Sequence, residues 1–319
     1  MSQPSVRLRQ ATQTDGKAVA AMCEDIWTER GGDYIPAVYD RWMESEGPSQ
    51  QTIVAIDQTE MLVGIVQGVM LTETEAWAQA LRVAGGQRGR GVGRRLIDAV
   101  VDWAARRDAG ICRTLVFSWN AAGLGVATTA GFEPAMAFRW AMPAVGTSAS
   151  APNERVVAPS ASAVAKCFDR TPMAAELAGL TLDWNERWAL SRLGSDPLAA
   201  ASGQTERIGI EDPTTGELTA CSVRIRTCEE TNAAGQSERL AEYALTGWHT
   251  ERAVGPLFEA IGSDAASVGA DSARVLLPEK AEQLAAAAAA RVELSEYHHY
   301  VLTTVPPCGS AATDGREQR

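Results

Sequence analysis

The residues best suited to chemistry in this chain form a glycine-rich turn between a predicted strand and a predicted helix. The stretch reads Leu81-Arg-Val-Ala-Gly-Gly-Gln-Arg-Gly-Arg-Gly-Val-Gly-Arg-Arg-Leu96. Glycines adopt backbone angles closed to other residues and let a ligand approach the main chain. The helix after the turn directs its free N–H groups and the positive end of its dipole at it. A pyrophosphate fits such a turn, and Arg88, Arg90, Arg94 and Arg95 add positive charge.

Two common nucleotide-binding loops do not fit this turn. A Walker loop needs Gly-Lys-Ser/Thr, and the turn contains no lysine. A Rossmann loop needs Gly-x-Gly-x-x-Gly and an acidic residue at the end of the next strand. The third glycine is not at that step, and the next predicted strand, 113–119, is followed by Asn120. An ordinary glycine turn without a ligand is the remaining structural interpretation.

The turn belongs to a longer pattern that resembles the acetyl-CoA signature of the GNAT N-acetyltransferases. It reads Arg88-x-x-Gly91-x-Gly93 and directly follows a strand. A second strand, 114–119, is followed by Asn120 and a short helix that ends in Gly131-Phe132. GNAT enzymes carry Gln/Arg-x-x-Gly-x-Gly/Ala and commonly close that helix with Gly-Phe. Two motifs in the right order and at the right spacing make this a specific resemblance.

The resemblance implies which residues contact acetyl-CoA. In GNAT enzymes a splayed strand offers backbone N–H groups to the pantetheine arm and the thioester oxygen, which points to Leu81, Arg82 and Val83 here. Asn120 is expected to contact the pantetheine arm. The predicted contacts of the pyrophosphate are Arg88, Gly89, Arg90, Gly91, Val92, Gly93 and Arg94.

Two departures from the family pattern affect the catalytic groups. GNAT enzymes often carry a tyrosine as general acid at the position of Ala127, and a glutamate as general base at the position of Gln79. Neither residue found here titrates. The candidate replacement bases are Glu73 and Glu75 on the strand before the loop, and Glu24 and Asp25 on the first helix. Each is more often a solvated surface acid, and a water-relayed base or simple amine capture stays open.

A second resemblance concerns the acceptor. The stretch Asp33-Tyr-Ile-Pro-x-x-Tyr-x-x-Trp42 is similar to the corresponding stretch of the vertebrate histidine N-acetyltransferases. It implies a small amine or a free amino acid as acceptor, with histidine as one candidate. The predicted substrate contacts are Asp33, Tyr34, Tyr39 and Gln79. Aromatic residues in such a stretch also commonly pack in the core.

The predicted elements divide the chain into two halves. The first has the order strand, helix, helix, three strands, helix, strand, helix, strand, which matches a complete GNAT-like domain over residues 1–145. A segment rich in Pro, Ser and Ala predicts a linker at 146–160. The pattern restarts at an offset near 160 residues, which predicts a second, degenerate GNAT-like domain over 161–305. Residues 306–319 are predicted to form a disordered tail.

The predicted fold class is therefore α/β of the α+β type, with two tandem GNAT folds, each a mixed, mostly antiparallel sheet flanked by helices. The second copy has Gly247-Trp-His-Thr-Glu-Arg-Ala-Val-Gly255 where the phosphate loop stands in the first. Few glycines and the acidic Glu251 suit a pyrophosphate poorly. We expect this copy to be structural, or to form one wall of the substrate cleft.

Composition excludes several functional classes. A net charge of −11 argues against nucleic acid as the main partner. The six cysteines form no Cys-x-x-Cys pair, and three histidines are too few to predict a metal cluster. No apolar leader and no apolar run near ~20 residues is present, so we expect a cytoplasmic protein without a membrane contact. Oligomeric state cannot be predicted from these features.

These features leave three hypotheses about function. The first is an acetyl-CoA-dependent N-acetyltransferase that acts on the amine of a small molecule or an amino acid. The second is a non-catalytic acyl-CoA-binding sensor or regulatory protein, which the replaced tyrosine and glutamate favour. The third is transfer to a protein lysine or N-terminus, which needs an open groove. Release of free CoA in the presence of an amine separates the first from the second.

Overall fold

The computed structural model describes residues 6–146, 155–192, 205–231 and 236–307. These residues divide into two compact units. Unit 1 takes its described residues from Met1–Val116, Asn120–Pro134 and Val301–Arg319, and unit 2 takes them from Phe117–Trp119 and Ala135–Tyr300.

The described residues form strands and α-helices with the following bounds. The strands are β1 Arg7–Gln10, β2 Gln50–Ile56, β3 Leu62–Met70, β4 Glu75–Val83, β5 Ile111–Phe117, β6 Glu133–Met142, β7 Arg155–Val157, β8 Leu180–Leu182, β9 Leu190–Arg192, β10 Glu206–Glu211, β11 Leu218–Thr231, β12 Ser237–Trp248, β13 Ser272–Pro278, β14 Glu293–Leu294 and β15 His299–Thr304. The α-helices are α1 Gly16–Cys23, α2 Ile35–Ser45, α3 Val92–Ala105, α4 Ala121–Thr129, α5 Ala161–Asp169, α6 Pro172–Glu176, α7 Val254–Ser267 and α8 Ala281–Ala289.

Unit 1 is a sheet with helices on both faces. The sheet order is β1-β2-β3-β4-β5-β15, antiparallel from β1 to β4 and parallel between β4 and β5. One face packs on α1 and α2 through a shared apolar cluster. On the other face α3 lies so close that a Cβ added at Gly64 would stand 2.8 Å from Leu96, and one at Gly68 would stand 2.9 Å from Trp103. These two glycines therefore let α3 pack directly on β3.

The strand β4 is bulged in its second half. Ala80 has φ 59, and the register against β3 jumps between Ile65 and Gln67. Parallel pairing with β5 covers four residues and ends at the pair Ala78 and Thr114. Because β4 continues to Val83, the two parallel strands separate beyond that pair. A bulge is expected to bend a strand in this way.

Unit 2 repeats this arrangement. Its sheet order is β6-β13-β12-β11-β10-β7, with β14 also beside β6 and a separate ladder of β8 and β9. β12 and β13 are parallel, and their pairing ends at Tyr243 and Val275 although β12 continues to Trp248. Leu245 has φ 51, and the register against β11 jumps near Cys221. Two folds of the same kind therefore stand in tandem, as the sequence predicts.

The last strand of each sequence half, β6 or β15, belongs mainly to the compact unit of the other half. Residues 135–142 of β6 belong to unit 2, where β6 pairs antiparallel with β13. Residues 301–304 of β15 belong to unit 1. The boundaries 1–145 and 161–305 remain a prediction for the two sequence repeats, whereas the compact units exchange their last strands.

Several local predictions need correction. Glu24 and Asp25 are predicted to lie on the first helix, but α1 ends at Cys23 and Trp27 adopts a left-handed φ of 56. Part of the predicted linker, Arg155–Val157, forms β7, while 147–154 lies outside the described residues. Of the predicted tail, residues 308–319 lie outside them too.

Candidate active site

Two glycines give the turn before α3 its shape. Gly89 and Gly91 have φ values of 71 and 82, and Arg90 between them is exposed. No atom lies within 4 Å of a Cβ added at either glycine, so the need for glycine is conformational and not a matter of space. A residue with a Cβ would cost roughly 1–2 kcal/mol in this left-handed region.

The first turn of α3 offers unpaired donors to the space in front of it. The helix begins at Val92, and Gly91 before it contributes no side-chain cap. The first backbone bond of this turn runs from the Arg95 N–H to the Gly91 carbonyl at 3.1 Å. The N–H groups of Val92, Gly93 and Arg94 precede that bond and have no acceptor within the helix. Together with the helix dipole they can hold a phosphate group.

The arginine side chains of the turn are partly committed to the protein. The Arg94 guanidinium pairs with the Asp98 carboxylate at 2.7 Å and also donates to the Thr129 carbonyl. Arg88 donates from Nε to the Val83 carbonyl at 3.2 Å. Arg94 can therefore serve a phosphate through its backbone N–H, whereas its side chain ties α3 to the end of α4.

The separated part of β4 provides the next donors. Leu81 and Val83 are half-buried and lie beyond the last pair with β5. A Cβ added at Gly93 would stand 3.6 Å from the Val83 side chain, which places the first turn of α3 directly against this strand. A chain of backbone donors thus runs from the strand into the helix.

Asn120 and Ala127 occupy the two ends of the second motif. The Asn120 Oδ1 accepts the Gly123 N–H at 2.9 Å and caps α4. Its Nδ2 is therefore the group with which it would contact a pantetheine carbonyl. Ala127, the position of the family's tyrosine, is 4% exposed and packs in the core.

Arg82 and Asp33, predicted to contact acetyl-CoA and the acceptor respectively, bind each other. Arg82 Nε lies 2.6 Å from Asp33 Oδ2, and Nη2 lies 3.2 Å from Oδ1. Only 8% of the arginine side chain and 1% of the aspartate side chain are exposed. Both side chains are thus committed to an ion pair, and the Arg82 backbone pairs with Ile65 of β3.

Trp27 is a site residue that the sequence does not reveal. Its ring lies 3.8 Å from the Arg82 Cζ, and the Tyr34 ring lies 5.5 Å from the same atom. Tyr34 is 47% exposed and is therefore accessible to an acceptor. The contact of Trp27 joins residues far apart in the chain, and no local motif signals it.

The position of Tyr39 corrects its expected role. Tyr39 is 2% exposed, belongs to the apolar cluster under α1 and α2, and donates its hydroxyl to the Thr12 carbonyl at 2.8 Å. Burial raises the pKa of its phenol above the ordinary value. Its contacts give Tyr39 a packing role in unit 1.

Gln79 is joined to Gln67 and Thr52 by side-chain hydrogen bonds that cross three neighbouring strands. Its Nε2 donates to Gln67 Oε1 at 2.8 Å, and Gln67 Nε2 donates to Thr52 Oγ1 at 3.1 Å. Gln67 and Thr52 are buried. These bonds fix the orientation of the Gln79 amide, which can orient a bound molecule but cannot act as a base.

The four candidate bases lie in different surroundings. Glu75 is 6% exposed and pairs with Arg113 at 3.1 Å. It lies six residues before Leu81, roughly 20 Å along a strand. Glu73 is exposed in the turn before it and lies farther still. Glu24 and Asp25 are exposed directly after α1, on the same connection as Trp27, so these two candidates lie on a segment linked to Arg82.

Unit 2 has a shorter connection in the corresponding region. Five residues, 249–253, connect β12 to α7, against the eight residues 84–91 that connect β4 to α3. A Cβ added at Gly247 would stand 2.6 Å from the Thr171 Oγ1, so the segment before α6 packs on the strand where it leaves its partner. Unit 1 has a similar contact two residues after its own bulge, where Trp27 and Asp33 pack against Arg82.

Two further features concern metal ions and membranes. In the described ranges, no group of three or more His, Cys, Asp and Glu side chains is arranged to hold a metal ion. None of the helices in those ranges is both long and apolar enough to cross a bilayer.

Residues 19–132 match the model of the acetyltransferase (GNAT) family. The matched part of the chain contains the bulged strand β4, the glycine turn, α3 and α4.

Solved structures share the fold over almost the whole chain. A GCN5-related N-acetyltransferase from Sphaerobacter thermophilus is 12% identical, with a TM-score of 0.60 over 96% of this chain and 98% of that one. A tandem GNAT protein from the clavulanic acid biosynthesis pathway is 14% identical, with a TM-score of 0.55 over 95% of this chain and 99% of that one. Among curated protein sequences, none matches the chain.

Proposed function

We propose that the protein is an N-acetyltransferase that transfers the acetyl group of acetyl-CoA to the amine of a small molecule or an amino acid. One observation carries the proposal: a strand that leaves its parallel partner at Ala78 leads into a turn with two left-handed glycines and an open helix N-terminus. This arrangement supplies backbone donors for a thioester, a pantetheine arm and a pyrophosphate in that order.

Each part of the site has a chemical role in this proposal. Acetyl-CoA would supply the activated acetyl group. The N–H groups at Leu81 and Val83 would stabilise negative charge on the thioester oxygen, an effect worth about 3–4 kcal/mol per donor in other enzymes. The N–H groups of residues 92–94 would hold the pyrophosphate, and the Asn120 amide would orient the pantetheine arm.

The amine must lose a proton before or during attack. Gln79 cannot accept it, and the ion pair of Glu75 with Arg113 removes that acid. The enzyme would therefore capture the free amine, with Glu24 and Asp25 as the acidic candidates on the connection after α1. The value of kcat/KM is then expected to rise with pH until the acceptor amine is deprotonated.

Supporting observations favour a small acceptor only in general terms. Tyr34 is exposed beside Arg82, whereas Tyr39 packs in the core. Of the two tyrosines in the stretch that resembles the histidine N-acetyltransferases, only Tyr34 is therefore accessible to a ligand. Histidine stays one candidate among free amino acids and other small amines.

The second candidate function, a non-catalytic acyl-CoA sensor, also has a specific observation behind it. The buried Ala127 stands where GNAT enzymes often have a tyrosine as general acid. Gln79 stands where they often have a glutamate as general base. Neither change affects the donors of the turn, so both functions predict acetyl-CoA binding.

A single experiment separates the two functions. Free CoA is measured after mixing the protein and acetyl-CoA with a panel of free amino acids, histidine included, and polyamines. Release with one amine, and none with Gly91→Glu, supports the transferase. Tight binding without release for any amine supports the sensor, and the absence of binding contradicts both.

A further inference from the structure

Arg82 links the strand that would hold the thioester to the connection between α1 and α2. It lies between Leu81 and Val83 in the sequence, and its side chain leaves β4 on the side of residues 24–34. The opposite side, at Val83, is covered by the first turn of α3. An acceptor that approaches a thioester on this strand must therefore come from the β5 edge or from the side of Arg82.

The Arg82 guanidinium forms a bidentate ion pair with Asp33, two residues before α2 begins. Two nitrogens meet the two oxygens of Asp33, at 2.6 and 3.2 Å. Asp33 Oδ1 also accepts the Ile35 N–H at 3.1 Å, and Ile35 is the first residue of α2. The fork fixes orientation as well as distance, because a guanidinium and a carboxylate pair in one plane.

The same guanidinium also contacts the strand itself and an aromatic ring. Nη1 donates to the Leu81 carbonyl at 3.0 Å, directly after the bulge at Ala80. Its face lies 3.8 Å from the Trp27 ring, and Trp27 adopts a left-handed conformation. One side chain thus bonds to the bulged backbone, to α2 and to the α1–α2 connection.

We propose that Arg82 is a positioning residue that couples the thioester-binding backbone to the acceptor side of the site. Through Asp33 and Trp27 it holds residues 24–34 within one arginine length, on the order of 7 Å, of the backbone at Leu81 and Val83. The exposed ring of Tyr34 then forms part of the wall that the amine meets. The inference rests on the proposed function.

A purely structural role is the competing explanation, because buried ion pairs also occur without any function. Unit 2 offers a matched control. Arg224 Nε lies 2.7 Å from Asp264 Oδ2 and Nη2 lies 3.3 Å from Oδ1, with 9% and 11% of the side chains exposed. The variants Asp33→Asn and Asp264→Asn therefore make the same chemical change in two forks of nearly equal geometry.

The first test needs no acceptor. Hydrogen exchange of residues 24–34 is measured with and without acetyl-CoA, and calorimetry on the same samples measures acetyl-CoA affinity. In the wild type, acetyl-CoA is expected to slow exchange in 24–34, because a fixed strand restrains the connection through Arg82. Asp33→Asn is expected to keep affinity within about twofold and to lose that protection, whereas Asp264→Asn keeps both.

The second test is kinetic and uses the amine found in the release assay. Asp33→Asn is expected to lower kcat/KM for the amine by about 100-fold, since a small misplacement at a reacting centre has that effect. The KM for acetyl-CoA should stay unchanged. If Arg82 and Asp33 had only a structural role, the folded fraction of Asp33→Asn would keep both kcat/KM for the amine and KM for acetyl-CoA. Asp264→Asn should behave like the wild type.

A double variant controls for the possibility that Asp33→Asn impairs folding. Removing one partner of a buried pair strands a charge, whereas Arg82→Met with Asp33→Leu removes both charges at similar volume. The double variant is expected to bind acetyl-CoA and to show the same loss of protection and of kcat/KM. If the double variant binds acetyl-CoA and shows the hydrogen exchange and kinetics of the wild type, the role of Arg82 is overturned and the proposed function stands. No acetyl-CoA binding by the wild type overturns the proposed function, and this inference with it.

Discussion

The two repeats share the bulged strand but differ in the connection between that strand and the next helix. Ala80 and Leu245 both have positive φ, at 59 and 51, and in each unit the parallel pairing stops before the strand ends. Separated strands are therefore a property of the fold and do not by themselves make a binding site. The connection distinguishes the first repeat.

That connection differs in length, conformation and charge. The first repeat has eight residues, 84–91, with two left-handed glycines before α3. The second has five, 249–253, with no glycine and with the acidic Glu251, and Thr171 packs on the strand beside it. The comparison teaches that a GNAT fold can keep its bulged sheet while losing the glycine turn before the helix.

The largest expected effect comes from exchanging the two connections. A protein in which residues 84–91 are replaced by the sequence of 249–253 should lose acetyl-CoA affinity by at least about 100-fold, or about 2.7 kcal/mol, because the helix N-terminus no longer opens onto a glycine turn. Calorimetry measures the loss.

The reverse exchange serves as its control. Placing the sequence of 84–91 in unit 2 should create no second acetyl-CoA site, because Thr171 still packs on Gly247. Binding by the first exchanged protein with wild-type affinity would show that the connection does not distinguish the repeats.

A smaller difference concerns the response of unit 2 to acid. His299 is 4% exposed among aromatic rings, and burial, with the nearby charge of Arg274, lowers its pKa to about 4 from an ordinary 6.5. The unfolded chain therefore binds a proton at a higher pH than the folded one. The stability that His299 contributes is present above pH 6.5 and is lost as the pH falls toward 4, by roughly 2–3 kcal/mol.

Urea unfolding followed by tryptophan fluorescence at pH 7.5, 6 and 4.5 checks this prediction. Trp140 and Trp188, whose rings lie 6.3 and 5.9 Å from His299, report on unit 2. His299→Phe should flatten the pH dependence, and His249→Gln, at an exposed histidine, should leave it as in the wild type. An unchanged slope in His299→Phe would rule out this histidine as the cause.

The smallest expected effect compares one glycine from each repeat. Gly247→Ala would place a Cβ 2.6 Å from Thr171 and should destabilise the protein by about 1–3 kcal/mol. Gly93→Ala meets its nearest neighbour at 3.5 Å, an ordinary contact, and should cost less than about 0.5 kcal/mol. Chemical denaturation at pH 7.5 gives both values, and equal losses would contradict the close packing of the second repeat.

The sequence is sufficient wherever the signal is local. The glycines at 89 and 91 and the alternation before them are visible within a dozen residues, so the turn, the strand and α3 can be predicted together. The repeat is visible as well, because both halves use the same order of elements.

Contacts between distant residues are not visible in the sequence. Arg82 and Asp33 stand 49 residues apart, and the sequence motifs assign each a separate ligand because their pairing leaves no local pattern. The membership of β6 and β15 likewise depends on which sheet accepts a strand, whereas alternation predicts only that a strand forms. Burial of Tyr39 and Glu75 depends on the elements that pack over them, which a single sequence does not encode locally.

The number of acetyl-CoA molecules bound per chain tests the central claim most directly. Isothermal titration of the full chain should give one site, and Gly91→Glu should abolish it while the chain remains folded. Two sites per chain, or one site that survives Gly91→Glu, would contradict the assignment of binding to the first repeat alone.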